Sequence, residues 1–210
     1  DAAALEAAGK TAVFVAIDNR LAGLVAMADT VRASAHDAIH ALTRQGIAVV
    51  MLTGDNRGAA GKIAAGLGDI RVIAEVMPED KVAEIEKLKK QGRVVAMVGD
   101  GVNDGPALAA SDLGIAIGGA TEVAMEAAKV GLMRPDLGLV PALLDLGGRS
   151  HSKIVQNLFW AFVYNLVGIP VAAIGYLSPL VAGAAMAFSS VSVVANALTL
   201  RNWRPKGDIR

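Results

Sequence analysis

The sequence predicts an α/β domain built on a parallel sheet, followed by a two-helix transmembrane hairpin. Three observations predict it. Short apolar runs rich in Val, Ile, Ala and Met alternate with helical stretches that stop at glycine, the pattern of strands buried on both faces of a parallel sheet. From residue 154 to residue 200 there is no Asp, Glu, Lys, Arg or His. Finally, 54% of the 210 residues are apolar and the mean hydropathy is +0.48, more than an ordinary soluble domain carries. Part of the chain belongs in lipid.

Composition also excludes functions. The 20 Lys+Arg balance 20 Asp+Glu, which removes the broad attraction that nucleic acid binding relies on. With no cysteine, the chain holds no disulfide scaffold, thiolate metal site or cysteine nucleophile. It begins with Asp1 and shows no signal-peptide pattern, so it reads as the C-terminal part of something longer.

Residues 1–26 hold a strand, Thr11–Ile17, an Asp18-Asn19 turn and a second short run over 21–27, too few to bury a core of their own. From Met27 onward helices and strands alternate. Helix 31–43, ended by Gly46, leads to strand 47–52; helix 57–67, ended by Gly68, leads to strand 72–76; helix 79–90, ended by Gly92, leads to strand 94–98. A short helix over 106–110, strand 114–117, helix 121–128 and strand 130–133 complete the domain. Residues 135–153 form a connector that ends in Arg149-Ser150-His151-Ser152-Lys153.

The uncharged stretch splits at Ser178-Pro179 into 24 residues (154–177) and 22 residues (179–200). At about 1.5 Å per residue each reaches roughly 33–36 Å, enough for a hydrocarbon core of about 30 Å. Arg149 and Lys153 precede the pair, and Arg201, Arg204 and Lys206 follow it. The positive-inside rule puts both ends in the cytoplasm and the Leu177-Ser178-Pro179 link on the far side.

Two strand ends carry unusual punctuation: Thr53-Gly54-Asp55-Asn56 after one, and Gly99-Asp100-Gly101-Val102-Asn103-Asp104-Gly105-Pro106 after another. Ligands of parallel α/β sheets sit beyond the carboxyl ends of the strands. The Thr53 hydroxyl, with the close backbone approach that Gly54 permits, suits a phosphate oxygen. Asp100 is a hard oxygen ligand for Mg²⁺, and Asp104 is either a second ligand or, with Asn103, a cap of the following helix. Lys81 lies in the first turn of a helix, where a cation opposes the dipole; an anion in front of it would explain it. His36 and His40 have a chelating i, i+4 spacing without a third ligand and read as surface residues, as does the charged face of helix 79–90.

Met51-Leu52-Thr53-Gly54-Asp55-Asn56, Pro78-x-x-Lys81 and Gly99-Asp100-Gly101-Val102-Asn103-Asp104-Gly105-Pro106-Ala107-Leu108 resemble the phosphorylation domain of P-type ATPases, a haloacid-dehalogenase-like fold. Asp29-x-x-Arg32 is similar to that family's motif near the hinge to its nucleotide domain, and residues 1–26 resemble the end of that nucleotide domain. The resemblance covers essentially the whole chain. It implies domains at 1–26, 27–134 (phosphorylation), 135–153 (connector) and 154–210 (helices and tail). It implies ATP as energy source, Mg²⁺ at Asp100 with Asp104 and Asn103 in support, and a phosphoryl group held by Thr53, Gly54, Asp55 and Lys81. The family's Asp-Lys-Thr-Gly-Thr motif, with the phosphorylated aspartate, is absent from this sequence, so the chain alone is expected not to turn over ATP.

The uncharged stretch contains few polar groups: Asn157, Tyr164, Asn165, Ser189, Ser190, Ser192 and Asn196. Met186 and Ser190, four apart, share a helix face beside Ser189. These groups either bond across helices, with Met186 in packing, or line an ion path. Pro170 frees the carbonyl of Leu166, and Ala182, Gly183, Ala184, Ala185 and Ala187 offer a smooth packing surface. A divalent ion at this depth wants carboxylates, whereas a monovalent soft ion accepts a thioether. That favours Cu⁺ or Ag⁺.

Tyr164-Asn165 and Met186-x-x-Ser189-Ser190 are similar to motifs in the last two helices of the copper(I)-transporting class, whose Cys-Pro-Cys helix is absent here. Relatives often carry Met directly after the Ser-Pro turn, where this chain has Leu180. The resemblance implies a copper(I) path past Tyr164, Asn165, Met186, Ser189 and Ser190 in a plasma-membrane protein. Its implied partners are the lipid bilayer, the remainder of the same protein and a copper chaperone. Two rival readings are a membrane-anchored phosphatase of the same superfamily, which needs an Asp-x-Asp not found after a first strand, and the non-catalytic half of a split transporter.

Overall fold

The computed structural model describes all residues except 1, 8, 9, 28–30, 69, 177 and 206–210. Asp29, Leu177 and Lys206, used above, lie outside the described residues. The chain divides into two units, 1–139 and 140–210.

The first unit opens with helix α1 (Ala2–Ala7), which the sequence reading did not anticipate, and an antiparallel hairpin of β1 (Thr11–Ile17) and β2 (Arg20–Met27). Asp18 and Asn19 make the two-residue turn with φ of 49° and 58°, the left-handed pair that matches strand twist.

The α/β part follows as α2 (Ala33–Arg44), β3 (Val50–Leu52), α3 (Arg57–Ala65), β4 (Arg71–Ile73), α4 (Pro78–Lys90), β5 (Ala96–Gly99), α5 (Gly105–Ala110), β6 (Leu113–Ala116), α6 (Glu122–Ala127) and β7 (Val130–Gly131). Asn56 and Thr121 cap α3 and α6 through their side chains. Helix α4 stops where Gly92 takes φ +75°, so that Arg93 N–H can bond back to the Leu88 carbonyl at 3.2 Å, a conformation open to glycine at little cost. The parallel pairs are β3–β4 and β5–β6–β7. Ile85 of α4, Leu108 of α5 and Ile115 of β6 are the largest fully buried side chains, each worth about 1.5–3 kcal/mol.

Two expectations need correction. Strands β3, β4, β5 and β7 are shorter than their apolar runs, because each extends only as far as its partner, whereas β6 keeps four residues one position earlier than expected. β3 begins at Val50, where Arg71 first pairs with it. β5 begins at Ala96, because Val95 N–H is taken by the Asp112 carboxylate at 2.8 Å, and Val94 is 90% exposed. Nor are the strands all buried on both faces: β6 is almost wholly enclosed, while β3, β4 and β5 are half-buried or partly exposed.

The second unit holds α7 (Leu139–Ala173) and α8 (Pro179–Leu198), then a short 3-10 turn, Thr199–Asn202. Both helices are long and apolar enough to cross a membrane. The expected connector is itself helical from Leu139 onward, despite Gly147 and Gly148, and α7 stops at Ala173 where Gly175 takes φ +80°. Ser178 caps α8 by accepting from Val181 N–H at 3.3 Å. The packing face of α8 is half-buried at Ala182, Ala185, Ser189, Ser192 and Asn196, while Gly183, Ala184 and Ala187 are exposed. The small-residue surface is thus rotated from the one the sequence suggested.

Asp112 supplies a pH test. The Val95 N–H, then Lys89 and Lys129, hold its carboxyl below the ordinary carboxylate range. A depressed folded pKa stabilises fully above the ordinary aspartate value of about 3.9, and the effect is lost as pH falls through the folded pKa. Thermal melts of the chain and its Asp112→Asn variant are expected to differ most at neutral pH and to converge in acid. A pH-independent difference would show that the charge plays no part.

Candidate functional site

The loop after β3 is closed on itself. The Thr53 hydroxyl donates to Asp55 Oδ2 at 2.7 Å and accepts from Asp55 N–H at 3.1 Å. Thr53 N–H donates to the Ile73 carbonyl at 3.1 Å, and the Thr53 carbonyl accepts from Val76 N–H at 3.0 Å. The turn after β3 is therefore fastened to the segment that enters α4, whose first turn carries Lys81. A Cβ on Gly54 would meet only the Val76 carbonyl, at 3.5 Å, so this face of the loop admits close approach.

Lys81 does have an anion in front of it. Its Nζ donates to Asp104 Oδ1 at 2.7 Å, with the two side chains only 17% and 14% exposed. The other oxygen, Asp104 Oδ2, accepts from Gly101 N–H at 3.4 Å. Asp104 makes no side-chain cap to α5; it turns back into its own loop. Gly99 makes this possible, since a Cβ there would lie 2.8 Å from Asp104 Cβ and 2.9 Å from Oδ2.

Asp100 is more open, 56% exposed at its side chain, with Arg32 Nη2 at 3.9 Å. Its carbonyl accepts from Thr121 N–H at 2.9 Å, which anchors the loop to the start of α6. Arg32 also donates to the Pro135 carbonyl at 3.3 Å. Asn103 is exposed. Thus Lys81 and Asp104 touch, Asp100 and Asn103 share their loop, and Thr53, Gly54 and Asp55 are tied to the start of α4. The ion pair of Arg32 with Asp100 was not foreseen, being a contact across 68 positions of sequence.

The described residues contain no cluster of three or more His, Cys, Asp or Glu that could hold a metal. Asp100 and Asp104 offer two carboxylates from one turn, the donor set that Mg²⁺ completes with water and phosphate oxygens. His36 and His40 are exposed, with His36 Nδ1 3.7 Å from Asp37.

In the second unit a groove of about 390 Å³ opens between α7 and α8. Tyr164, Asn165, Met186, Ser189 and Ser190 all line it, with small residues such as Gly168 opposite Ala182 and Ala185 providing the room. Asn165 donates an amide hydrogen to the Ala161 carbonyl at 2.8 Å, and Ser190 donates its hydroxyl to the Met186 carbonyl at 3.1 Å. The Asn165 carbonyl oxygen and the Ser190 lone pairs remain as acceptors. Tyr164 OH lies 3.4 Å from Ser192 Oγ.

Below this groove Asn157 and Asn196 do bond across the helices, as one of the two readings of these polar groups expected, and sequence reasoning missed only the part of Lys153 in that clamp. Lys153 Nζ donates to Asn196 Oδ1 at 2.7 Å, and Asn196 Nδ2 donates to Asn157 Oδ1 at 2.8 Å. The i, i+4 spacing of Lys153 and Asn157 was the available signal.

Two substitutions test these contacts. Gly99→Ala should push Asp104 out of the loop and cost about 1–3 kcal/mol, read by urea unfolding of the α/β unit within the whole chain. Asn196→Ala should strip partners from Lys153 and Asn157 and weaken the hairpin by roughly 0.6–2 kcal/mol, read by loss of helicity on titration with SDS.

Residues 1–112 match the haloacid dehalogenase-like hydrolase family. The copper-exporting P-type ATPase of Mycobacterium leprae (strain TN) is 54% identical over 198 residues, covering 94% of this chain and 25% of that protein. The copper-exporting P-type ATPase of Bacillus subtilis (strain 168) is 53% identical over 197 residues, again 94% and 25%. This chain therefore spans about a quarter of the length of these curated relatives. Among solved structures, a zinc-transporting PIB-type ATPase in the E2.Pi state is similar with a TM-score of 0.81 and 39% identity, covering 94% of this chain and 32% of that one. The chain belongs to the haloacid dehalogenase-like hydrolase family and, through both membrane-length helices, matches the C-terminal region of a heavy-metal P-type ATPase.

Proposed function

We propose that this chain is the C-terminal portion of an ATP-driven copper(I)-exporting P-type ATPase, with silver(I) as an alternative cargo. Residues 27–134 are its phosphorylation domain, residues 1–26 the end of its nucleotide domain, 135–153 the connector, and 154–210 its last two membrane helices with the tail. The phosphorylated aspartate comes from a part of the protein outside this sequence.

In the phosphorylation domain Thr53 and the Gly54 backbone hold phosphoryl oxygens, the Thr53 hydroxyl turning to the phosphoryl group the one hydrogen that it otherwise gives to Asp55. Lys81 keeps two ammonium hydrogens beyond the one given to Asp104, and these neutralise developing phosphoryl charge. Asp104 in turn fixes Lys81. The carboxylates of Asp100 and Asp104, supported by Asn103, would hold Mg²⁺, which when bound supplies positive charge against the phosphoryl oxygens.

The observation that carries the cargo assignment is the groove. Its lining contains a thioether, hydroxyls and an amide, and no ionisable group except the Tyr164 phenol. A divalent ion entering it would lack carboxylate compensation, while Cu⁺ finds the soft sulfur of Met186, 73% exposed, beside Asn165, Ser189 and Ser190. The basic residues flanking the charge-free stretch support a topology with both ends of the hairpin, and the α/β domain, in the cytoplasm of a plasma-membrane protein. The remainder of the same protein, the bilayer and a copper chaperone are the partners this reading requires.

In the full-length protein, Asp100→Ala should abolish phosphoenzyme formed from ATP. Met186→Ala should lower copper-stimulated turnover by about 10-fold and leave phosphorylation by inorganic phosphate intact. Equal copper stimulation of Met186→Ala and the parent would overturn the cargo assignment without touching the phosphoryl site.

A further inference from the structure

The foot of the hairpin holds a second and larger cavity, about 730 Å³, lined by Asp145, Arg149 and Lys153 of α7, by Thr199, and by Trp203 just beyond the 3-10 turn. It plays no part in the function proposed above. The hydrogen bonds around it show what chemistry it offers. Asp145 Oδ2 accepts from Arg149 Nε at 2.7 Å and from Trp203 Nε1 at 2.8 Å, so the acid orients the cation and the indole. Arg149 keeps the hydrogens of both Nη atoms, and Lys153 keeps two after its bond to Asn196. The hydroxyl hydrogens of Ser152 and Thr199 go to the Gly148 and Asn196 carbonyls at 3.0 and 2.6 Å. The donors left over are those of a guanidinium, an ammonium and the Asn202 amide, and the two cations among them call for an anion.

Position narrows the anion further. Lys153 is the last charge before the uncharged stretch and Arg201 the first after it, so the cavity sits where both helices leave the hydrocarbon. Trp203 has the amphipathic ring favoured at that level, and Leu200 adds an apolar wall. A phosphate attached to acyl chains satisfies both the donors and the depth. Basic pockets between membrane helices hold lipid headgroups in this way. We propose that this cavity binds the phosphate of an anionic phospholipid, with Arg149 and Lys153 as its two cationic donors.

The test is native mass spectrometry of the full chain released from nanodiscs of equal phosphatidylglycerol and phosphatidylcholine. Phosphatidylglycerol should be retained selectively, and Arg149→Gln should lower that retention about five-fold, while Arg149→Lys restores most of it. Lys153→Gln should act similarly, but because it also loosens the Asn196 clamp, Arg149→Gln decides. Arg201→Gln removes the same charge at the same level outside the cavity and should change nothing. Excess inorganic phosphate should not displace the lipid. Equal retention of the two lipids, equal loss in Arg149→Gln and Arg201→Gln, or displacement by inorganic phosphate would each overturn the proposal.

Discussion

The contact between Lys81 and Asp104 is the constraint on which the α/β unit depends. Strands β3 and β4 form one ladder and β5, β6 and β7 another, with no strand pairing between the two among the described residues. What joins them near the loops is a short ion pair, largely withdrawn from water, between the first turn of α4 and the turn after β5. Such a pair is costly to desolvate and costlier to halve, since removing either partner strands the other. Farther along α4, Lys89 reinforces the junction by donating to the Ala110 carbonyl at 2.7 Å and lying 3.5 Å from Asp112. Lys81, which sits badly with its helix dipole, thereby ties the start of α4 to the loop after β5.

A parallel logic governs the hairpin. Apolar side chains gain nothing by leaving lipid for one another, so helices in a bilayer are held by small-residue contacts and polar bonds. Here the bonds are Lys153–Asn196–Asn157 at one level and Tyr164–Ser192 above it. Between these and the turn, Gly168, Ala182 and Ala185 provide room for the groove rather than closing it.

Much of this was legible in the sequence, because the signals were local. Glycine marks the end of α4 as expected, the charge-free stretch shows as two membrane-length helices, and the glycines around Asp100 leave its carboxylate open, although the side chain packed against them is that of Asp104. What was not legible depends on partners distant in sequence. The strand ends follow their neighbours: Val94 and Val95 look like strand, but Asp112 takes the Val95 N–H that would have extended it. The segment over 139–153 looks like a linker because of Gly147, Gly148 and its charges, yet extending an existing helix costs far less than starting one. The run of small residues 182–187 gave no phase, and the face that packs is the one in line with Ser189, Ser192 and Asn196. For Asp104 the sequence left open a second Mg²⁺ ligand or a helix cap, and its pairing with Lys81 was not legible because the two lie 23 positions apart.

Pro170 gives the hairpin a mechanical asymmetry. Its missing N–H leaves the Leu166 carbonyl without a helical partner, within the turns that border the groove, whereas the opposite end of the groove is bolted by two asparagines and a lysine. Stiffness is therefore concentrated at the foot and compliance toward the Ser178 turn. Any opening of this pair is biased to be one-sided, with its mouth toward the turn and its pivot at Asn196.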